Sequence, residues 1–193
     1  KSFKEQSLRL ADSVFGQTVS GKWVYPSEVI DYVEEDLFMA PDLSTIRKIP
    51  WNKEPTAQII CDLNYGSHEP SKLAPRQVLK NIVKQLSDEN VRAIVAPELE
   101  FYLCEQNLDP DLPLKTPIGK SGRRETGSRV FGIDAVNEFD TLTDDIYDYC
   151  ELMNIGVDTL VHESGPSQIE INLNHGDPLA LADQAFMFKR AVR

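Results

Sequence analysis

The sequence predicts an α+β protein in which helices lie against a β-sheet. Residues 157–163 and 168–174 have the apolar and polar alternation and the β-branched side chains that are typical of strands. Residues 91–104 are also rich in β-branched and aromatic side chains, which predicts a further strand. Residues 75–86, just before it, carry apolar side chains at helical spacing. We therefore expect a helix packed against a sheet.

The composition predicts a folded, acidic, cytoplasmic protein. The 193 residues suit one medium domain or two small ones, and 41% hydrophobic residues are enough to bury a core. A net charge of −11 argues against nucleic acid or an anionic membrane as the main partner. We expect neither a membrane span nor a signal peptide. The isolated cysteines Cys61, Cys104 and Cys150 predict reduced core residues.

Glycine and proline divide the first seventy residues into short elements. The pattern of apolar residues predicts a strand pair over residues 12–24 and a helix over residues 26–37. It predicts another strand over residues 57–63. The turn-rich residues 64–73 then predict a domain boundary. We therefore expect one domain over residues 1–70 and a second over residues 71–193.

The second half of the chain predicts further helices and one long loop. Asp140 or Thr141 caps one helix, and Asp177 caps another that begins with a proline. Residues 105–129 predict a loop whose basic side chains either approach a phosphate or are solvated, and we assign no site residue there. The last helix reaches Arg193 without a stop signal, so we expect the chain to end within a domain.

Glu98 and Glu100 are the first candidate metal ligands. Side chains alternate along a strand, so these two carboxylates point to the same face, beside apolar neighbours. Neighbouring carboxylates repel each other, and burying them costs several kcal/mol unless a positive charge compensates. Mg²⁺ or Mn²⁺ would supply that charge, because hard cations prefer carboxylate oxygens. The alternative is an edge strand with two solvated glutamates.

Glu163 and Glu170 are the second candidate pair. Glu170 lies on the polar face of the predicted strand 168–174, and Glu163 ends the strand before it. If these strands share a sheet with Glu98 and Glu100, the four glutamates would converge on one metal-binding cavity.

Two motifs make the chain resemble the glutamine synthetase family. The first is Pro97-Glu98-Leu99-Glu100-Phe101, and the second is His162-Glu163-Ser164-Gly165-Pro166-Ser167-Gln168-Ile169-Glu170. Further similar segments are Ile60-Cys61-Asp62, Pro75-Arg76-Gln77-Val78-Leu79-Lys80 and Asp177-Pro178-Leu179-Ala180-Leu181-Ala182-Asp183. The second motif is most similar to the branch that includes γ-glutamyl-polyamine synthetases. The resemblance covers nearly the whole chain, most weakly in the first forty residues and in residues 105–129.

The resemblance implies a fold and roles for the four glutamates. It implies part of a β-grasp N-terminal domain, incomplete at its start, followed by the first part of a catalytic domain with an antiparallel sheet and packed helices. Glu98 would serve one metal site, and Glu100, Glu163 and Glu170 would serve the other. Phe101 and Gln168 would support them by packing and hydrogen bonding, and His162 and His175 are expected to be structural or turn residues.

The implied activity is ATP-dependent amide formation. The family phosphorylates the γ-carboxylate of L-glutamate, and ammonia or an amine then attacks the acyl phosphate. Mg²⁺ or Mn²⁺ is the implied cofactor, ATP the co-substrate and a homo-oligomeric ring the implied assembly. Residues for nucleotide and glutamate are expected beyond Arg193, so we expect no ligase activity from these 193 residues alone. The alternative is a non-catalytic or regulatory family member that binds metal without turnover.

Overall fold

The computed structural model describes residues 8–24, 34–66 and 69–192. Its strands are β1 (Arg9–Ala11), β2 (Asp36–Pro41), β3 (Arg47–Lys48), β4 (Ala57–Gln58), β5 (Cys61–Tyr65), β6 (Glu69–Pro70), β7 (Glu98–Tyr102), β8 (Val157–His162) and β9 (Gln168–Leu173). Its α-helices are α1 (Pro75–Asp88), α2 (Ile133–Asn137), α3 (Asp140–Leu152) and α4 (Pro178–Ala191). Packing divides the chain into two compact units, residues 1–47 with 57–93 and residues 48–56 with 94–193.

The first unit is built on an antiparallel sheet of strand order β1-β2-β5-β6. Leu37 of β2 is fully buried in it. Helix α1 has no buried residue, and ion pairs attach it to the sheet side of the unit. Its Arg76 bonds Asp42 at 2.6 Å and Asp62 at 2.7 Å, and its Lys80 bonds Asp62 at 2.6 Å. Since these side chains are largely covered, the ion pairs are screened less than surface pairs.

The second unit contains an antiparallel sheet of strand order β7-β9-β8. Strand β9 is central, and its Ile169, Ile171 and Leu173 are buried on one face, as its alternation predicts. On that face the rings of Phe101 and Phe188 lie 6.3 Å apart between centroids, which brings β7 against α4. The core of this unit therefore lies behind the sheet, and the other face carries the polar side chains.

Most elements of the predicted fold are confirmed. The structure is α+β with antiparallel sheets, and helix α1, the β8–β9 hairpin and helix α4 form where the sequence predicts them. Asp177 caps α4 by accepting 3.0 Å hydrogen bonds from the backbone N–H groups of Leu179 and Ala180. Helix α3 begins at Asp140 with Phe139 as its N-cap, so the prediction of a side-chain cap from Asp140 or Thr141 is wrong.

Four strand and helix predictions differ from the structure. The strand predicted over 57–63 is divided into β4 and the start of β5. The strand predicted over 91–104 is shorter, because only residues 98–102 find a partner in β9, apart from one bridge between Val95 and Gly176. The strand pair predicted over 12–24 forms a 3₁₀ turn, Asp12–Gly16, and a single bridge between Gln17 and Trp23. Most of the helix predicted over 26–37 lies outside the described residues, but its Leu37 belongs to β2.

The cysteines differ in their surroundings. Cys150 is buried in α3, and burial raises the pKa of its thiol to about 11, so it stays protonated at neutral pH. Cys61 is half-buried and Cys104 is exposed, so a core position is confirmed for Cys150 alone of the three.

The two compact units do not divide after residue 70, because the first unit also contains α1. The domain boundary predicted at residues 70 and 71 stays a prediction. None of the helices in the described part of the chain is both long enough and apolar enough to cross a membrane.

We expect Asp42→Asn to destabilise the protein at pH 7 by about 1–2 kcal/mol, with a smaller effect in acid. The Ser44 hydroxyl and then the Arg76 guanidinium lower the pKa of the Asp42 carboxyl from 3.8 to about 2. Because the folded pKa lies below the unfolded value, this stabilisation is present above about pH 4 and is lost as the pH falls towards 2. Urea unfolding of the parent and the variant at pH 7 and pH 3 measures this destabilisation. It should be roughly half as large at pH 3 as at pH 7.

Asp88→Asn is the matched control, since Asp88 forms an exposed ion pair with Lys84 one helical turn away. It should change the free energy of unfolding by about 0.5 kcal/mol or less. A destabilisation by Asp42→Asn that is equal at pH 7 and pH 3 contradicts the assignment.

Candidate metal centre

The sheet of the second unit brings the four candidate glutamates to one face. Glu100 lies directly opposite Glu170 in the β7–β9 register, and Glu98 lies opposite Asn172. The backbone N–H of Glu163 donates to the carbonyl of Gln168 at 2.8 Å, so Glu163 lies beside the start of β9. Because side chains alternate along each strand, all four carboxylates lie on the face opposite the buried isoleucines.

Neutral donors hold three of these carboxylates. The Gln168 amide donates to Oε2 of Glu100 at 2.6 Å, and the Asn172 amide donates to Oε1 of Glu170 at 3.0 Å. Oε2 of Glu163 accepts a 3.2 Å hydrogen bond from the backbone N–H of Ser164. Glu98 and Glu100 are exposed, whereas Glu163 and Glu170 are half-buried.

No basic side chain neutralises this face in the described residues. None of the ion pairs there includes Glu98, Glu100, Glu163 or Glu170. Glu100 and Glu170 are therefore like charges directly opposite each other on the paired strands β7 and β9. This arrangement is unfavourable without a cation. A divalent cation would turn this repulsion into attraction.

The residues fit such a cation by their donor chemistry. Carboxylate and amide oxygens are the ligands that Mg²⁺ and Mn²⁺ prefer, and Oδ1 of Asn172 on the same face is buried without a hydrogen-bond partner. As placed, however, no three His, Cys, Asp or Glu side chains within the described ranges are close enough together to hold an ion. Convergence of the four glutamates on one metal site therefore stays a prediction.

The turn between β8 and β9 is packed against β7. Oε1 of Gln168 accepts hydrogen bonds from the backbone N–H of Gly165 at 2.7 Å and from the Tyr102 hydroxyl at 3.2 Å. A Cβ atom at Gly165 would lie 2.5 Å from the Tyr102 hydroxyl oxygen, so a larger residue there would displace the exposed Tyr102 side chain and disturb its bond to Gln168. Gln168 thus connects the turn to Glu100, which agrees with its predicted supporting role.

A buried pair behind the turn was missed by sequence reasoning. His162 is fully buried, and its Nε2 lies 2.8 Å from Oε2 of Glu125, a residue of the long loop. The structural role expected for His162 is confirmed, but Glu125 had no assigned role. One signal was present, because His162 alternates onto the apolar face of β8 and a buried imidazole needs partners. His175 is exposed.

Comparison with known proteins identifies the family. The profile described as "Glutamine synthetase, catalytic domain" matches residues 72–193. Gamma-glutamylputrescine synthetase PuuA of Escherichia coli (strain K12) is 32% identical over 192 residues, which cover 98% of this chain and 41% of that protein. Glutamate–isopropylamine ligase of a Pseudomonas species is 27% identical over 162 residues, which cover 82% of this chain and 34% of that protein.

A solved structure has the same fold. The crystal structure of a novel glutamine synthase homolog superposes on the whole chain with a TM-score of 0.76 at 17% identity, and the match covers 42% of that protein. The chain spans less than half the length of each of these matched proteins. Since the family profile matches well over half of its residues, the chain belongs to the glutamine synthetase family.

Proposed function

We propose that the whole protein is an ATP-dependent ligase that joins the γ-carboxylate of L-glutamate to ammonia or an amine through γ-glutamyl phosphate. The observation that carries this proposal is the acidic sheet face, where Glu100 and Glu170 lie opposite each other without a basic partner in the described residues. An uncompensated carboxylate pair is unfavourable for a purely structural sheet and suits a face that binds divalent cations. Membership of the family supports this activity.

In this proposal Glu98 serves one metal site, and Glu100, Glu163 and Glu170 serve another. When bound, Mg²⁺ or Mn²⁺ neutralises the negative charge of the phosphate groups and the carboxylate. The residues of this chain orient the ligands, because the Gln168 amide bonds Glu100 and the Asn172 amide bonds Glu170. The half-buried positions of Glu163 and Glu170 restrict their side chains more than those of the exposed Glu98 and Glu100.

The remaining proposals concern the whole protein. We propose a β-grasp N-terminal domain over residues 1–70, a catalytic domain that begins at residue 71, a ring of identical subunits and a cytoplasmic location. The start of the family match at residue 72 supports the catalytic domain boundary. The named relatives act on putrescine and isopropylamine, which supports an alkylamine as the acceptor.

Comparing acceptors in the full-length protein tests the activity. With ATP, L-glutamate and Mg²⁺ or Mn²⁺, we expect amide product and phosphate release to be at least about tenfold faster with putrescine or isopropylamine than with ammonia. Turnover is measured as γ-glutamyl amide formed. Reactions without metal or without glutamate are the controls.

Faster turnover with ammonia would reassign the acceptor and leave the ligase activity in place. Metal binding without product from any acceptor would overturn the ligase proposal in favour of the non-catalytic alternative.

A further inference from the structure

Glu125 is a buried acid within a long irregular segment. It lies between β7 and α2, and its side chain is only 9% exposed. Burying a carboxylate costs several kcal/mol unless hydrogen bonds or charges compensate. Arg129 compensates it weakly, because its Nε lies 3.9 Å from Oε1 of Glu125 and its side chain is exposed, so the compensation must come mainly from other groups.

The compensating groups come from the β8–β9 hairpin. Oε2 of Glu125 lies 2.8 Å from Nε2 of His162, accepts the backbone N–H of Ser167 at 2.5 Å and lies 3.4 Å from the Ser167 hydroxyl. The other ring nitrogen of His162, Nδ1, lies 2.8 Å from the carbonyl of Glu163. Since a carbonyl only accepts, Nδ1 donates, and the proton between Nε2 and Oε2 makes the second bond. One carboxylate therefore holds both ends of the turn.

The backbone of the turn needs this support. Ser167 has a φ of +59°, a left-handed conformation that a non-glycine residue adopts only when its surroundings compensate. Ser167 immediately precedes Gln168, and His162 immediately precedes Glu163. The contacts of Glu125 thus fix the backbone at Glu163, and through Gln168 they fix the amide that bonds Glu100.

We propose that Glu125 is a positioning residue for the metal face, which is the sheet face that carries Glu98, Glu100, Glu163 and Glu170. With His162 and Ser167 it forms a buried brace that orients Glu163 directly and Glu100 through Gln168. This inference rests on the proposed metal-binding function, since without a metal the brace would only stabilise the turn. Residues that orient metal ligands typically change metal affinity by about 10- to 100-fold when they are mutated.

Binding of Mn²⁺ alone to the full-length protein, without ATP or glutamate, tests the brace. Glu125→Gln should weaken Mn²⁺ binding by at least about tenfold. Glu105→Gln is the matched control, because Glu105 lies in the same loop and its ion pair is with the half-exposed Arg124. This control should leave the affinity for Mn²⁺ unchanged.

A double-mutant cycle separates positioning from general stability. Since the brace acts through both Glu163 and Glu100, Glu125→Gln should weaken Mn²⁺ binding much less in a background that carries Glu163→Gln and Glu100→Gln than in the parent. Equal weakening in both backgrounds overturns the inference, because it indicates general loosening of the fold. Should Glu125→Gln not fold, Glu125→Asp keeps the charge near His162 but withdraws it by one methylene, and unchanged affinity in that variant overturns the inference.

The two proposals fail in different ways. If Glu163→Gln weakens Mn²⁺ binding and Glu125→Gln leaves it at the parent value, the brace is refuted and the metal face stands. If neither Glu163→Gln nor Glu170→Gln changes Mn²⁺ binding, the metal face itself is refuted.

Discussion

Replacing Glu100 or Glu170 by glutamine should lower the metal-dependent phosphate release of the full-length protein by about 100-fold or more. Each substitution keeps the size of the side chain and removes one negative charge from the sheet face. A loss of about 3 kcal/mol of charge stabilisation in the transition state corresponds to this factor. Phosphate release at saturating ATP and glutamate, measured over a range of Mg²⁺ and Mn²⁺ concentrations, gives the effect.

The matched control is Glu151→Gln on the exposed side of α3, which removes the same charge away from the sheet face. It should release phosphate at the parent rate. Parent rates in both Glu100→Gln and Glu170→Gln would remove the metal assignment.

Stability should respond in the opposite direction when no metal is present. Glu100 and Glu170 are opposite each other on neighbouring strands, and like charges in this position repel. Without divalent ions, each glutamine variant should therefore be as stable as the parent or slightly more stable. Addition of Mn²⁺ should stabilise the parent more than either variant, because only the parent binds the ion tightly. This reversal distinguishes a metal-binding role from a structural role of the same carboxylates.

The acidic face could be predicted because local rules determine it. Period-two alternation in Gln168–Leu173 places the isoleucines on one face and Glu170 on the other. The turn at Ser164–Ser167 is short, so β8 and β9 must pair as neighbours, and Glu163 lies next to the start of β9. Glu98 and Glu100 follow the same alternation in β7. The sheet face on which each glutamate lies, and the pairing of β8 with β9, therefore follow from spacing along single segments.

The brace could not be predicted in the same way. Glu125 lies in a polar loop with no periodicity, and its partners His162 and Ser167 are 37 and 42 residues later in the chain. Its burial depends on how the loop folds back against the hairpin. The ion pairs that attach α1 could not be predicted either, because Arg76 reaches Asp42 and Asp62 only after three separate segments have assembled. Long-range polar contacts of this kind leave no local pattern.

The strand before Glu98 shows a different limit. Val91, Ile94 and Val95 have high β-propensity, yet they remain exposed and outside the sheet. A strand needs a partner as well as propensity, and β9 ends at Leu173, opposite the residues just before Glu98. Beyond Pro97, the described residues extend the pairing by the isolated bridge between Val95 and Gly176. Tertiary context therefore decided the length of β7.

Phe188→Ala should destabilise the protein by about 3–5 kcal/mol, the typical loss when a buried phenylalanine is truncated. Phe188 is 1% exposed, and its ring lies against Phe101 on the back of β7. The lost area and the remaining cavity both contribute to this loss. Phe101 directly follows Glu100 in β7. The cavity behind Phe101 should therefore also make the positions of the Glu98 and Glu100 side chains less fixed. Urea unfolding measures the stability, and Mn²⁺ binding measures the effect on the face.

Phe186→Ala provides the matched control on the same helix. Phe186 is 63% exposed, so its truncation removes a ring of equal size without opening a cavity. We expect the free energy of unfolding to change by about 0.5 kcal/mol or less, since surface substitutions rarely have larger effects. Equal destabilisation by the two substitutions would contradict the packing of α4 behind β7, and with it the support of the acidic face from the core side.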